Sequence, residues 1–106
     1  MKTSKLPRPP SHLRPATKTW WKTVVETYQF GDSDLKVLTL AAEALDAHET
    51  ARLALAKEGT TYLDRYNNPR LRPENNVLRD SALVFARLVK QLQLDVPEPA
   101  PGNRRR

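Results

Sequence analysis

The chain has no cysteine, which excludes a disulfide framework and thiolate chemistry. Its three glycines are too few for a loop that cradles phosphate groups. His12 and His48 are its only histidines; isolated from one another and without cysteine, they make no zinc site. No apolar run approaches the roughly 20 residues that cross a bilayer. The basic start is followed by no apolar segment, so it does not read as a secretory signal; a soluble cytoplasmic protein is expected. No serine stands beside a histidine in a nucleophilic pattern. The acids are scattered, without a close pair for acid–base work. Glu43, Asp46 and Glu49, at three-residue steps, are the one candidate metal trio, against the plainer reading of a solvated helix stripe. No enzyme, metal or cofactor is expected.

Acid is also missing from the first 22 residues. They carry Lys2, Lys5, Arg8, Arg14, Lys18 and Lys22 with no carboxylate, whereas residues 23–58 are net acidic. Residues 59–73 turn basic again through Arg65, Arg70 and Arg72, and the chain closes on Arg104, Arg105 and Arg106. The whole carries +6. A basic arm on an acidic body suits a polyanionic partner; a solubilising tail is the alternative.

What is present in quantity is helix-forming sequence. From Asp34 to Glu58 no proline or glycine intervenes, enough for a rod of about 37 Å. Asp32 or Ser33 is expected to cap its start, and Gly59 to end it. One apolar stripe reads Leu35, Leu38, Ala42, Leu45, Arg52 and Leu55. A second reads Val37, Leu40, Ala41, Ala44, Ala47, Ala51 and Ala54. One stripe suffices to pack a helix on its own core; two suggest burial on two sides. Val37, Leu40, Ala44, Ala47, Ala51 and Ala54 are therefore candidates for contact with a neighbouring subunit. The alternative is that alanine simply favours helix and tolerates exposure.

Around the rod the chain divides into a Pro-rich basic arm (1–14), a helical domain (15–94) and a Pro-rich tail (95–106). About 80 residues without the tails bury only about 60–65% of their unfolded surface, a marginal core that favours oligomerisation. Pro15 suits the first position of a helix running to about Tyr28. Its Trp20 and Trp21 have two uses, stacking on bases or filling the core, and at least one is expected in the core. Lys18 and Lys22, four apart, share a polar face. Thr60–Leu63 and the Asn67–Asn68–Pro69 turn signal predict a small hairpin or ordered loop. Arg65, Arg70 and Arg72 stand there beside Tyr62 and Tyr66, an interleaving that grips a nucleic-acid strand in some proteins. Pro73 and Glu74 open a last helix to Leu92 or Gln93, with a stripe of Val77, Leu78, Ala82, Phe85, Leu88, Val89 and Leu92. The expected class is all-α: a helical hairpin with a long central helix, a short hairpin or loop, and a C-terminal helix.

The order HLRPATKTWWKTVV (12–25), a long helix ending in KEG (57–59), DRYNNPRLRP (64–73) and VLRDSALVFARLVKQLQL (77–94) resembles phage terminase small subunits of the short all-helical type. The family's opening usually carries a capping serine or threonine where this chain has Arg14. The resemblance implies a non-catalytic packaging factor. It would bind double-stranded viral DNA, pass it to the large terminase subunit with the ATPase and nuclease, and assemble as a ring of long helices. It does not assign DNA contacts; Lys2, Lys5, Arg8, Arg14, Lys18, Lys22, Arg65, Arg70 and Arg72 are chosen from charge alone. A DNA-binding transcriptional regulator and a helical adaptor that never touches DNA are the alternatives. A rod of some 25 residues fits the two short helices of a helix-turn-helix poorly.

Overall fold

In a computed structural model, which describes residues 6–94, three helices and one small ribbon follow in the expected order. They are α1 (Pro15–Thr27), α2 (Asp32–Glu58), β1 (Thr61–Leu63), β2 (Pro69–Leu71) and α3 (Glu74–Gln91). The strands pair antiparallel, Thr61 opposite Leu71 and Leu63 opposite Pro69. The class is all-α, with the long central helix and the short hairpin both present. Lys2, Lys5 and residues 95–106 with their arginines lie outside the described residues.

The start of α1 is built without a local cap. Arg14 is extended (φ −66°, ψ 154°) and its side chain caps nothing. Its backbone N–H instead donates to Asp46 Oδ2 on α2 at 3.0 Å, and Thr17 Oγ1 donates to Asp46 Oδ1. A carboxylate at a helix N-terminus satisfies open N–H groups and faces the positive end of the dipole. Glycine, and neither Asp32 nor Ser33, occupies the cap position of α2: Gly31 O accepts the Leu35 N–H at 3.0 Å. Asp32 and Asp34 lie inside the first turn, where their charge meets the dipole. Gly59 ends the rod at φ +86° with its N–H on Leu55 O. The turn after α3 places Gln93 at φ +57°. There Gln93 N–H bonds Lys90 O and Leu94 N–H bonds Val89 O, the paired bonds of a Schellman ending. That turn returns Leu94 to the core.

Leu13, Trp21, Val24, Val25, Leu38 and Ala42 form the main core, flanked by Trp20, Tyr28, Phe30, Leu35, Leu92 and Leu94. Leu38 is fully enclosed; burying such a side chain stabilises by about 1.5–3 kcal/mol. Leu13, inside the span of the basic arm, is part of this core. Leu6, 53% exposed, and Pro7 line an open pocket with Val25, Tyr28 and Phe30, and His12 Nε2 meets Glu43 Oε2 at 2.9 Å. An apolar residue at the end of a basic segment gains more from the core than from water.

The second stripe of α2 is largely covered by the chain itself. Ala41 and Ala51 are buried, Ala44 is at the edge of burial, Val37, Ala47 and Ala54 are half-buried, and Leu40 is 54% exposed. The covering partner is α3, which packs along α2. Its most buried residue is Ser81, whose hydroxyl returns to the carbonyls of Val77 and Leu78. Small residues on both sides permit a close approach. Ala44 and Ala51 thus serve the subunit's own packing, and Leu40 remains the outward member of the stripe. On α3 the inward face is turned slightly from the predicted one: Val77 and Ala82 are exposed, and Ser81 takes the inner position.

Candidate nucleic-acid interface

The ribbon between α2 and α3 is organised by one side chain. Asp64 Oδ1 accepts the N–H groups of Tyr66 (2.8 Å) and Asn68 (3.0 Å), and Oδ2 accepts Arg70 Nε at 2.9 Å. Aspartate bonding backbone two residues on builds a turn. The loop also needs a left-handed residue, and Asn67 supplies it at φ +63°, a conformation asparagine tolerates. The Asn68 amide, then Arg70, then the Tyr66 amide hold the Asp64 carboxyl below the usual carboxylate range, because each favours the ionised form. Asn75 Nδ2 fastens the ribbon's base, donating to Thr60 O at 2.9 Å and Arg72 O at 3.0 Å.

Side chains alternate across a strand, so the register sorts the ribbon into two faces. Thr61, Leu63, Pro69 and Leu71 share one; Tyr62 and Arg70 share the other, with Arg72, paired to Thr60, continuing it. Arg72 sits over the Tyr62 ring at 5.7 Å, and Arg65 over Tyr66 at 5.3 Å, within the range of cation–π attraction. Arg70 is paired with Asp64, and Arg72 reaches Glu58 at 3.9 Å. Tyr66 is 71% exposed, which leaves its ring open to a stacking partner.

The remaining cations cluster at α1. Lys22 and Arg8 are exposed, Lys18 is half-buried, and none forms an ion pair among the described residues. Arg14 is half-buried with Nη1 enclosed and without a hydrogen-bond partner, a position turned toward the body more than toward a ligand. Thirteen residues of rod separate Asp46, beside Arg14, from Gly59 at the ribbon's base. Arg14 is thus about 20 Å along α2 from the ribbon's base, and Arg8, next to a Pro7 that shares a pocket with Leu35, lies farther still. Sequence grouped all nine cations as one set; the fold divides the described ones into two.

Both tryptophans are engaged inside: Trp21 is buried, and Trp20 packs on Phe85 with ring centroids 5.4 Å apart. Each member of the acidic trio has a different occupation. Glu43 meets His12, Asp46 caps α1, and Glu49 binds Arg52 at 2.8 Å. The hydrogen bond and charge of Arg52 lower the Glu49 carboxyl. Among the described residues no group of three His, Cys, Asp or Glu side chains is arranged to hold a metal, and no helix is long and apolar enough to cross a membrane. Asp46 as a cap went unseen in the sequence, because nothing in a linear pattern joins it to Arg14. The chain matches no protein family model, no curated protein and no solved structure.

Proposed function

We propose that the chain is the small subunit of a phage terminase: a ring-forming, non-catalytic factor that binds double-stranded viral DNA in the host cytoplasm and hands it to the large ATPase and nuclease subunit. The observation that carries this reading is the separation of the candidate DNA-binding cations into one group at α1 and another on the ribbon, at two places on an acidic helical body. Arg8 and Lys22 flank α1, and Arg65, Arg70 and Arg72 ride on a ribbon with exposed tyrosines. Such cations displace counterions from phosphate with little reading of sequence. The order of elements shared with short terminase small subunits supports the same reading.

Duplex binding across a salt series tests it. Replacing Lys2, Lys5 and Arg8 with alanine leaves Leu13 and Arg14 in place and lowers the slope of log affinity on log salt by up to about 2.7, at roughly 0.9 per phosphate contact. No salt-dependent binding by the intact chain would favour an adaptor. A dimer in solution with strong preference for one short site would favour a transcriptional regulator. With magnesium or manganese, plasmid and ATP, the purified chain should neither cut nor release phosphate. Activity that vanishes in a Glu43→Ala variant, which leaves the Asp46 anchor in place, would overturn the non-catalytic assignment, and activity only with a large terminase subunit supports it.

A further inference from the structure

A groove of about 340 Å³ opens between α1 and α3, lined by Trp20, Thr23, Tyr28, Phe85, Val89 and Leu94 among others. Three of these side chains are aromatic, and the Trp20 and Phe85 rings meet at 5.4 Å. Trp20, Tyr28, Phe85, Val89 and Leu94 are each half-buried, so each packs on its neighbours and keeps part of its surface open. Among the described residues no charged side chain lines the groove. Along α1, Trp20 and Tyr28 are about 12 Å apart. Leu94 is at once a wall of this groove and the last of the described residues. Twelve residues follow it, DVPEPAPGNRRR, with proline at 97, 99 and 101. Only Asp95 stands between the wall and Val96.

We infer that the groove seats the chain's own segment Val96–Ala100, bound as a polyproline II strand. Aromatic-lined grooves take Pro-rich segments in this form, because proline has already fixed the backbone and little entropy is lost on docking. With three residues per turn, Val96 and Pro99 share one edge of such a strand and Pro97 and Ala100 the next. Two adjacent apolar edges thus meet Trp20, Tyr28 and Phe85, while Glu98 on the third edge stays in water. The lengths agree: five residues at about 3.1 Å each cover about 15 Å, a little more than the Trp20–Tyr28 span. The tether selects this occupant over a Pro-rich segment of another molecule. A ligand joined to its site by a short linker meets it at millimolar effective concentration, and here the linker is a single residue.

The chain's only tryptophans are Trp20 and Trp21, and Trp21 is buried, so quenching of the full chain by acrylamide reports on Trp20. A Pro97→Ser, Pro99→Ser variant should show stronger quenching and a red-shifted emission than wild type. The difference should vanish when both chains also carry Trp20→Phe. Because the chain has no cysteine, a Thr23→Cys, Ala100→Cys pair gives a second readout. Mild oxidation should close a disulfide within one chain, and adding the two serine substitutions should slow closure about tenfold or more. Quenching indifferent to the serines, or closure at the same rate with and without them, overturns the docking. A disulfide formed only between two chains overturns it as well, and gives the groove to the tail of a neighbouring copy.

Discussion

Asp46 and Arg14, 32 residues apart in sequence, are joined by a 3.0 Å hydrogen bond from the Arg14 backbone N–H to the Asp46 carboxylate. The same carboxylate takes the Thr17 hydroxyl, so one side chain of the rod holds the first turn of α1 in place. Asp46→Ala removes a cap and leaves two donors without a partner. Losing a helix cap costs about 0.5–2 kcal/mol and bonds to a charged group about 1.5–3 kcal/mol. Urea unfolding should show a loss of about 1–3 kcal/mol, and a loss under 0.5 kcal/mol would mean that Asp46 is not the cap.

Gly59 stands at φ +86° with nothing within 4 Å of the place a Cβ would occupy. Gly59→Ala therefore introduces backbone strain and no clash. Strain of this kind costs about 1–3 kcal/mol. The variant should lose that much in chemical denaturation, and an unchanged midpoint would show that the rod ends without needing this conformation.

Gln93 is a side-chain-bearing residue in a left-handed position at the end of α3, where glycine is the common choice. Left-handed backbone costs a non-glycine residue about 1–2 kcal/mol, partly offset by the greater freedom glycine brings to the unfolded chain. Gln93→Gly is expected to raise stability by about 0.5–1 kcal/mol. A destabilised variant would indicate that the Gln93 side chain contributes packing that the backbone argument omits.

The Asp64 carboxyl titrates below its ordinary value. A group depressed in the folded state stabilises above its unfolded pKa, about 3.9 for aspartate, and the gain is lost as pH falls through the folded value. The ribbon should thus hold at neutral pH and loosen only in acid below about pH 4. NMR amide shifts of Tyr66 and Asn68 would follow it. In Asp64→Asn, which has no carboxyl to titrate, they should not move with the same midpoint; a shared midpoint would assign the change to another group.

The helices and the hairpin were legible because their signals are local. Pro15, Gly59, Asn67–Asn68–Pro69 and Pro73 punctuate the chain, and the apolar period between them is helical. The start of α2 was misjudged by two residues, since Gly31 leaves both Asp32 and Ser33 free to enter the first turn. The two-sided rod was legible, but what covers it was not. Alanine spacing states that something small-footed approaches, and a linear pattern does not say whether α3 or a second copy does so. In the candidate interface, charge named the cations, yet only the strand register divides Leu63 and Leu71 from Tyr62 and Arg70. Arg14 and Arg8 look alike in sequence; one is half-buried because its backbone is tied to α2.

The tie between Arg14 and Asp46 also orders events in time. A chain made from its N-terminus exposes the α1 segment before residue 46 exists, so that helix waits for its anchor while α2 is still being formed. Short helices are marginal alone, and contacts between distant residues form late because closing the intervening loop is costly. Asp46→Ala should accordingly speed unfolding and leave the refolding rate almost unchanged. In stopped-flow experiments, a refolding rate that drops in proportion to the stability lost would instead place the α1 anchor in the folding nucleus.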